Sequence, residues 1–220
     1  MYQPGHGKFL VDDPLALLTE LARDRAATLV SLGDDGYLTT MLPLIVVANG
    51  GEYGILQGHV ARANAHWRAL EQQGSAIVIF HGPDAYVSPA WYPEKQRNGK
   101  VVPTWNYSMV VVHGMVTVHH EQRWNLTNVR DLVTRHEAQR DEPWAVDDAP
   151  ADYIDVQAKA VVGLELAIER IDAKQKLTQN RSLEDFEGTF AALSKGSPRE
   201  RAVAHDMAMT TKRPRGATRS

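Results

Sequence analysis

Ala26-Ala27-Thr28-Leu29-Val30-Ser31-Leu32, then Asp34-Asp35-Gly36, then a second extended run from Tyr37 to Val47, is the stretch on which the fold turns. The first run is apolar and partly β-branched, which suits a strand. Asp and Gly tolerate the positive φ that a tight hairpin needs, so the chain is expected to reverse at residues 34–36. Pro43 interrupts the returning run. Asn49-Gly50-Gly51 supplies a second reversal, and Tyr53 to His59 reads as a third strand. Three antiparallel strands joined by tight turns predict a meander. Just upstream, Asp13-Pro14 reads as an N-cap followed by proline at the first helical position. Leu15, Leu18, Leu21 and Ala22 then recur at helical spacing and predict a helix over 14–23.

Working downstream, residues 61–73 read as a helix and Ser75 to His81 as a strand. Residues 86–100, rich in Pro, Trp and Tyr, read as an ordered loop. From Tyr107 to His119 a long β run carries Met109, Val111, His113 and Met115 on one face. Val110, Val112, Val116 and Val118 lie on the other, as in a strand covered on both sides. A helix over 121–139 is expected to bury Trp124, Val129, Leu132, Val133 and His136. A helix near 151–160 precedes strands over 163–171 and 174–178, and the rest is helical, with Ser182 and Ser197-Pro198 as caps. Residues 211–220 read as a loose basic tail. Strands pair by hairpins rather than alternating with crossover helices. The expected class is therefore α+β, mainly antiparallel β: a barrel with flanking helices over 1–193, then a C-terminal helix and tail over 194–220.

Composition narrows the function. The chain of 220 residues is 43% hydrophobic and has a net charge of -3, which gives no electrostatic footprint for nucleic acid. It has no cysteine, which excludes disulfides and thiolate chemistry and fits a reducing, cytoplasmic compartment. No run approaches a membrane span, and Met1 to His6 resembles no secretory signal. No G-x-G-x-x-G follows a strand. Glu94 stands where a P-loop preceding Gly99-Lys100 would need its first glycine. Arg140 replaces the second histidine of a zinc helix beginning at His136-Glu137, so no metal site is expected. His119 and His120 point to opposite faces of a strand. No G-x-S-x-G elbow is present, and no catalytic residue is identified.

Three segments carry chemistry. In Gly58-His59-Val60-Ala61-Arg62-Ala63-Asn64-Ala65-His66-Trp67 a strand end passes into a helix, whose N-terminus suits an anion. Arg62 could make a bidentate contact to phosphate, with His59 and Asn64 as further donors. The same residues also read as a solvated helix start packed on Trp67. Gly82 to Tyr92, with Val101 to Tyr107, forms a stiff aromatic stretch. It reads either as a wall for a flat ligand, with Asn106 or an indole N–H at its polar edge, or as a rigid cap on the barrel. Lys174-Gln175-Lys176-Leu177-Thr178-Gln179-Asn180-Arg181 gathers cations and amides that could help neutralise a phosphate, or could be a solvated turn.

Gly58 to Asn64, Ser88-Pro89 with Trp91-Tyr92, Val102 to Tyr107, and Lys176-Leu177 with Gln179-Asn180-Arg181 resemble the PaiB-type negative transcriptional regulators. Met1-Tyr2, Pro4, His6, His136-Glu137-Ala138, Pro143-Trp144 and Val162-Gly163 extend the resemblance over residues 1–193. The chain departs from the family pattern at Gly7, Asp84, Ala90 and Gln175, the last where tryptophan is usual. The resemblance implies an FMN-binding split barrel of the pyridoxamine-phosphate-oxidase type, working as a homodimer with flavin at the subunit interface. It implies Arg62, Asn64 and Lys176 at the phosphate with His59 nearby, and Trp105, Asn106 and Tyr107 at the ring. It further implies backbone contacts from Thr28, Leu29 and Val30, with Gln179 and Arg181 arriving from either subunit. The function implied is regulation through bound flavin or a partner, with a flavin-dependent oxidoreductase as the alternative. Direct DNA binding is not supported by the charge.

Overall fold

The structure, a computed structural model, describes residues 1–4 and 7–212. His6 of the family resemblance and residues 213–220 of the expected tail lie outside the described residues. In chain order the elements are α1 (Pro14–Asp24), β1 (Ala27–Gly33), β2 (Gly36–Leu42), β3 (Ile45–Val47), β4 (Ile55–Ala61) and α2 (His66–Gln73). β5 (Ser75–Val87), α3 (Glu94–Asn98), β6 (Thr104–His119), α4 (Gln122–Glu137) and α5 (Ala151–Lys159) follow. β7 (Val161–Lys176), α6 (Leu183–Ser194) and α7 (Pro198–Lys212) complete the chain. The seven strands form one sheet in the order β2-β1-β5-β6-β7-β4-β3.

Two compact units share the three long strands. One unit, formed by Leu15–Phe80 and Val111–Asp172, is an antiparallel barrel whose sheet order leaves β2 and β3 as end strands. β1 and β2 pair in the expected hairpin, from Ala27↔Leu42 to Gly33↔Gly36. The meander is corrected at Pro43. A proline cannot donate to a ladder, so the strand breaks there and β3 pairs instead with β4 at the far end of the sheet order. The seam between the two hairpins closes at Gly58, where a Cβ would stand 2.7 Å from the Pro43 carbonyl oxygen. Only glycine lets the backbones approach so closely. Leu29, Leu42, Leu44, Leu56, Val78, Val116, Leu164 and Leu166 fill the interior, and α1 buries Leu17, Leu18, Leu21 and Ala22.

The other unit comprises Met1–Pro14, His81–Val110 and Ala173–Ser220. Its core joins Ala85, Leu177, Leu193, Val203, Ala204 and Met207, with Trp91 and Phe186 packed against them. Both expected caps form. Ser182 accepts from the Asp185 N–H at 3.2 Å. Ser197 Oγ accepts from the Glu200 N–H while Glu200 Oε2 accepts from the Ser197 N–H, a capping box at α7.

Three further expectations change. The helix expected over 61–73 begins only at His66. The two strands expected after residue 162 are one, because Arg170-Ile171-Asp172 continues the extended chain despite its polarity. Of the set read from the sequence α4 fully buries Leu132, and it adds Asn125 and Asn128, because the strand beneath it presents polar side chains. No helix among the described residues is long and apolar enough to cross a membrane.

Candidate functional site

The loop between β4 and α2 is built around Arg62. Its backbone N–H donates to the Ala160 carbonyl at 2.7 Å. Its guanidinium donates from Nε to the Lys159 carbonyl at 2.8 Å and from a terminal nitrogen to the Val161 carbonyl at 2.9 Å. These bonds pin the end of β4 to the start of β7. Neutral carbonyls fix the side chain without cancelling its charge, and among the described residues no carboxylate pairs with it. The Trp67 indole donates to the Arg62 carbonyl at 3.0 Å and seats the loop.

Asn64 closes the loop. Its Oδ1 accepts from the His66 N–H at 3.0 Å and its Nδ2 donates to Thr40 Oγ1 at 3.1 Å. Thr40 Oγ1 also lies 2.8 Å from His66 Nδ1, and His66 Nε2 lies 2.9 Å from Ser31 Oγ. A buried polar chain thus runs from the loop to the first strand. His66 is 3% exposed, and burial pushes its pKa below the ordinary histidine value, so the ring is neutral. Nothing in the sequence singled out His66 for this role, since a histidine at a helix start reads as solvated.

Thr28, Leu29 and Val30 lie in β1 between two partners. β2 pairs with them on one side, and β5 on the other through Thr28↔Ile79, Leu29↔Val78 and Val30↔Ile77. Their backbone groups are engaged in the sheet. Leu29 points into the core, so Thr28 and Val30 offer only side chains outward.

The remaining candidates belong to the second unit. Lys176 Nζ donates to Thr104 Oγ1 and to the Trp105 carbonyl, the latter at 2.7 Å. Burial, then the charges of Lys174 and Arg181, push its pKa below the ordinary lysine value. Lys174 is itself buried, donates to the Tyr2 carbonyl, and lies within 6 Å of the Tyr2, Phe9 and Tyr107 rings. Arg181 lies over the Tyr92 ring at 4.9 Å. Among the described residues no carboxylate forms an ion pair with any of these three cations, so the cluster carries uncompensated positive charge. Trp105 is half exposed and meets Tyr86 edge to face at 6.1 Å.

Two further candidates are held by their neighbours. Asn106 is fully buried, its Nδ2 donating to Thr178 Oγ1 at 2.9 Å, so it braces β6 and does not line a surface. Gln179 accepts from the Leu177 N–H and donates to the Gln175 carbonyl at 2.7 Å, so its amide caps the end of β7. Gln175, where tryptophan was expected, is buried and donates to Ser108 Oγ, which donates to Asp206 Oδ2 at 2.6 Å. That polar chain ties α7 to the strands.

His59 does not face Arg62's carbonyl partners. Its Nδ1 lies 2.9 Å from Asn128 Oδ1 on α4. Next to it in the barrel unit, Gln57, His119, Trp124 and Asn128 line an open cleft of about 490 Å³ that the sequence reading did not anticipate.

A family model described as "Putative FMN-binding domain" matches residues 1–170. The Protease synthase and sporulation protein PAI 2 of Bacillus subtilis is 29% identical, the match covering 84% of this chain and 86% of that protein. An uncharacterised protein of Aspergillus fumigatus is 29% identical, with 86% of this chain and 85% of the relative covered. Among solved structures, the flavocytochrome Anf3 of Azotobacter vinelandii superposes with a TM-score of 0.57 at 15% identity, covering 84% of this chain and 78% of that one.

Proposed function

The chain belongs to the FMN-binding domain family, and on that premise we propose that it holds FMN with the phosphate at the Arg62–Asn64 loop and works as a homodimer. The observation that carries this reading is the uncompensated charge of Arg62, held in place by two main-chain carbonyls in the loop that leads into α2. A fixed guanidinium and a helix N-terminus suit a phosphate dianion, because neither must reorganise to meet it. In the other unit, Lys174, Lys176 and Arg181 form a second uncompensated set suited to an anion. Trp105, half exposed, suits the edge of a flat ring. When bound, FMN supplies redox chemistry, and this chain's residues bind and orient it.

The dimer reading rests on the outward face of the β1–β2 hairpin. The register sets Leu32 opposite Tyr37 and Thr28 opposite Met41 on that face. Tyr37 is 82% exposed and Met41 75%, a stripe of apolar surface that a second copy would cover. In the cell we place the protein in the cytoplasm, in line with its lack of cysteine. Its regulatory effect runs through the flavin or a partner protein rather than DNA, given the negative net charge. The test is the visible absorption of the purified protein after incubation with FMN and gel filtration. Flavin bands co-eluting at about one per chain support the reading, and a colourless eluate refutes it.

A further inference from the structure

The cleft beside α4 has a floor that its own side chains do not satisfy. Asn128 is 2% exposed and its Oδ1 meets His59 Nδ1 at 2.9 Å, yet its Nδ2 has no partner. Turning the amide over only exchanges which terminal atom is left alone. His119 Nε2 is also buried without a hydrogen bond. The ring sits between Glu121 and Glu165, 3.9 Å from a carboxylate oxygen of each, which is beyond hydrogen-bond reach. A buried polar atom left unpaired is costly, of the order of 1–3 kcal/mol, so two on one floor mark a place where a ligand's polar atoms belong.

The walls select the ligand. The Trp124 ring stacks on His119, centroids 4.1 Å apart and planes 9° from parallel, which gives a flat apolar side. Gly163 makes room for that ring: a Cβ there would lie 2.1 Å from Trp124. Glu121 and Arg123 both line the cleft, so its charges offset one another and favour an ion of neither sign. A cationic amine would leave the Asn128 N–H unmet. A neutral group that both accepts and donates, attached to a flat ring, answers all three conditions, and the volume has room for one.

We propose that this cleft is a binding site for a small aromatic carboxamide, its carbonyl accepting from Asn128 Nδ2 and its amide N–H donating to His119 Nε2. The site lies wholly within the barrel unit and does not depend on where FMN binds. The test is titration of the full-length protein with benzamide, benzoate and benzylamine. It is followed by the side-chain amide signals of asparagine in ¹⁵N-resolved NMR and by calorimetry. Benzamide is expected to shift the Asn128 side-chain signals and to bind at least about tenfold tighter than the two charged probes. Asn128→Leu should weaken benzamide about tenfold, the value of one hydrogen bond. Thr127→Trp fills the cleft from its rim without touching the floor, so it should abolish binding even if the Asn128 variant fails to fold. No benzamide binding, equal or tighter binding of benzoate or benzylamine, or binding that survives Thr127→Trp would overturn the proposal.

Discussion

His66 Nε2 lies 2.9 Å from Ser31 Oγ, which ties the first residue of α2 to the middle of β1 inside the barrel unit. Because burial depresses the His66 pKa, the folded state binds fewer protons than the unfolded chain below about pH 6.5. The stability from this contact is present above that value and is lost as the pH falls through and below it. Thermal unfolding between pH 7.5 and 5 should therefore show a steeper acid loss in the wild type than in His66→Gln, which carries no titrating ring. Parallel curves for the two proteins would show that another group sets the acid limb.

Arg62 has two roles that separate on substitution. Arg62→Ala removes the clamp on Lys159 and Val161 as well as the charge, so stability should fall by about 1–3 kcal/mol alongside flavin affinity. Combining it with Lys176→Ala should weaken FMN binding by at least about a hundredfold, as two charge-assisted contacts are lost. Flavin fluorescence quenching on titration checks this. Unchanged affinity in the double variant would remove the phosphate from both residues.

Gly163→Ala should be among the more damaging single-methyl additions in the barrel unit. The new Cβ would press on the Trp124 ring, and Trp124 cannot retreat while stacked on His119. Overpacking of this kind costs about 1–3 kcal/mol. Urea unfolding followed by tryptophan emission should report both the loss and a shifted environment for Trp124.

Met41→Glu adds a charge to the outward stripe of β2 without touching the barrel interior. Analytical ultracentrifugation should show the wild type as a dimer and the variant as a monomer with an unchanged circular dichroism spectrum. A wild type that sediments as a monomer would leave the stripe without this partner.

Much of the barrel was legible because its signals are local. Asp34-Asp35-Gly36 sets the β1–β2 hairpin, and Pro43 marks the break, although not the edge to which the chain then crosses. The length of β7 was hidden because polar residues at 170–172 look like a turn when read alone. α4 misled for a related reason. Apolar periodicity finds the buried face only when the surface beneath is apolar, and Asn128 goes inward to meet His59. Residue type flagged Arg62, Lys176 and Trp105 as candidates. It could not tell that the amides of Asn106 and Gln179 are engaged, the first by distant Thr178 and the second by Leu177 and Gln175 within its own turn.

The division of the chain into units bears on the order of its synthesis. The barrel unit ends in sequence at Asp172, so every residue it needs has been made before Ala173 is translated. The other unit joins Met1–Pro14 to Ala173–Ser220 and cannot begin to close until its last segment leaves the ribosome. Lys174, Lys176 and Arg181 all lie in that late segment. The cations of that segment therefore emerge after the barrel unit's last residue, and a stop codon after Asp172 would yield Arg62 without them.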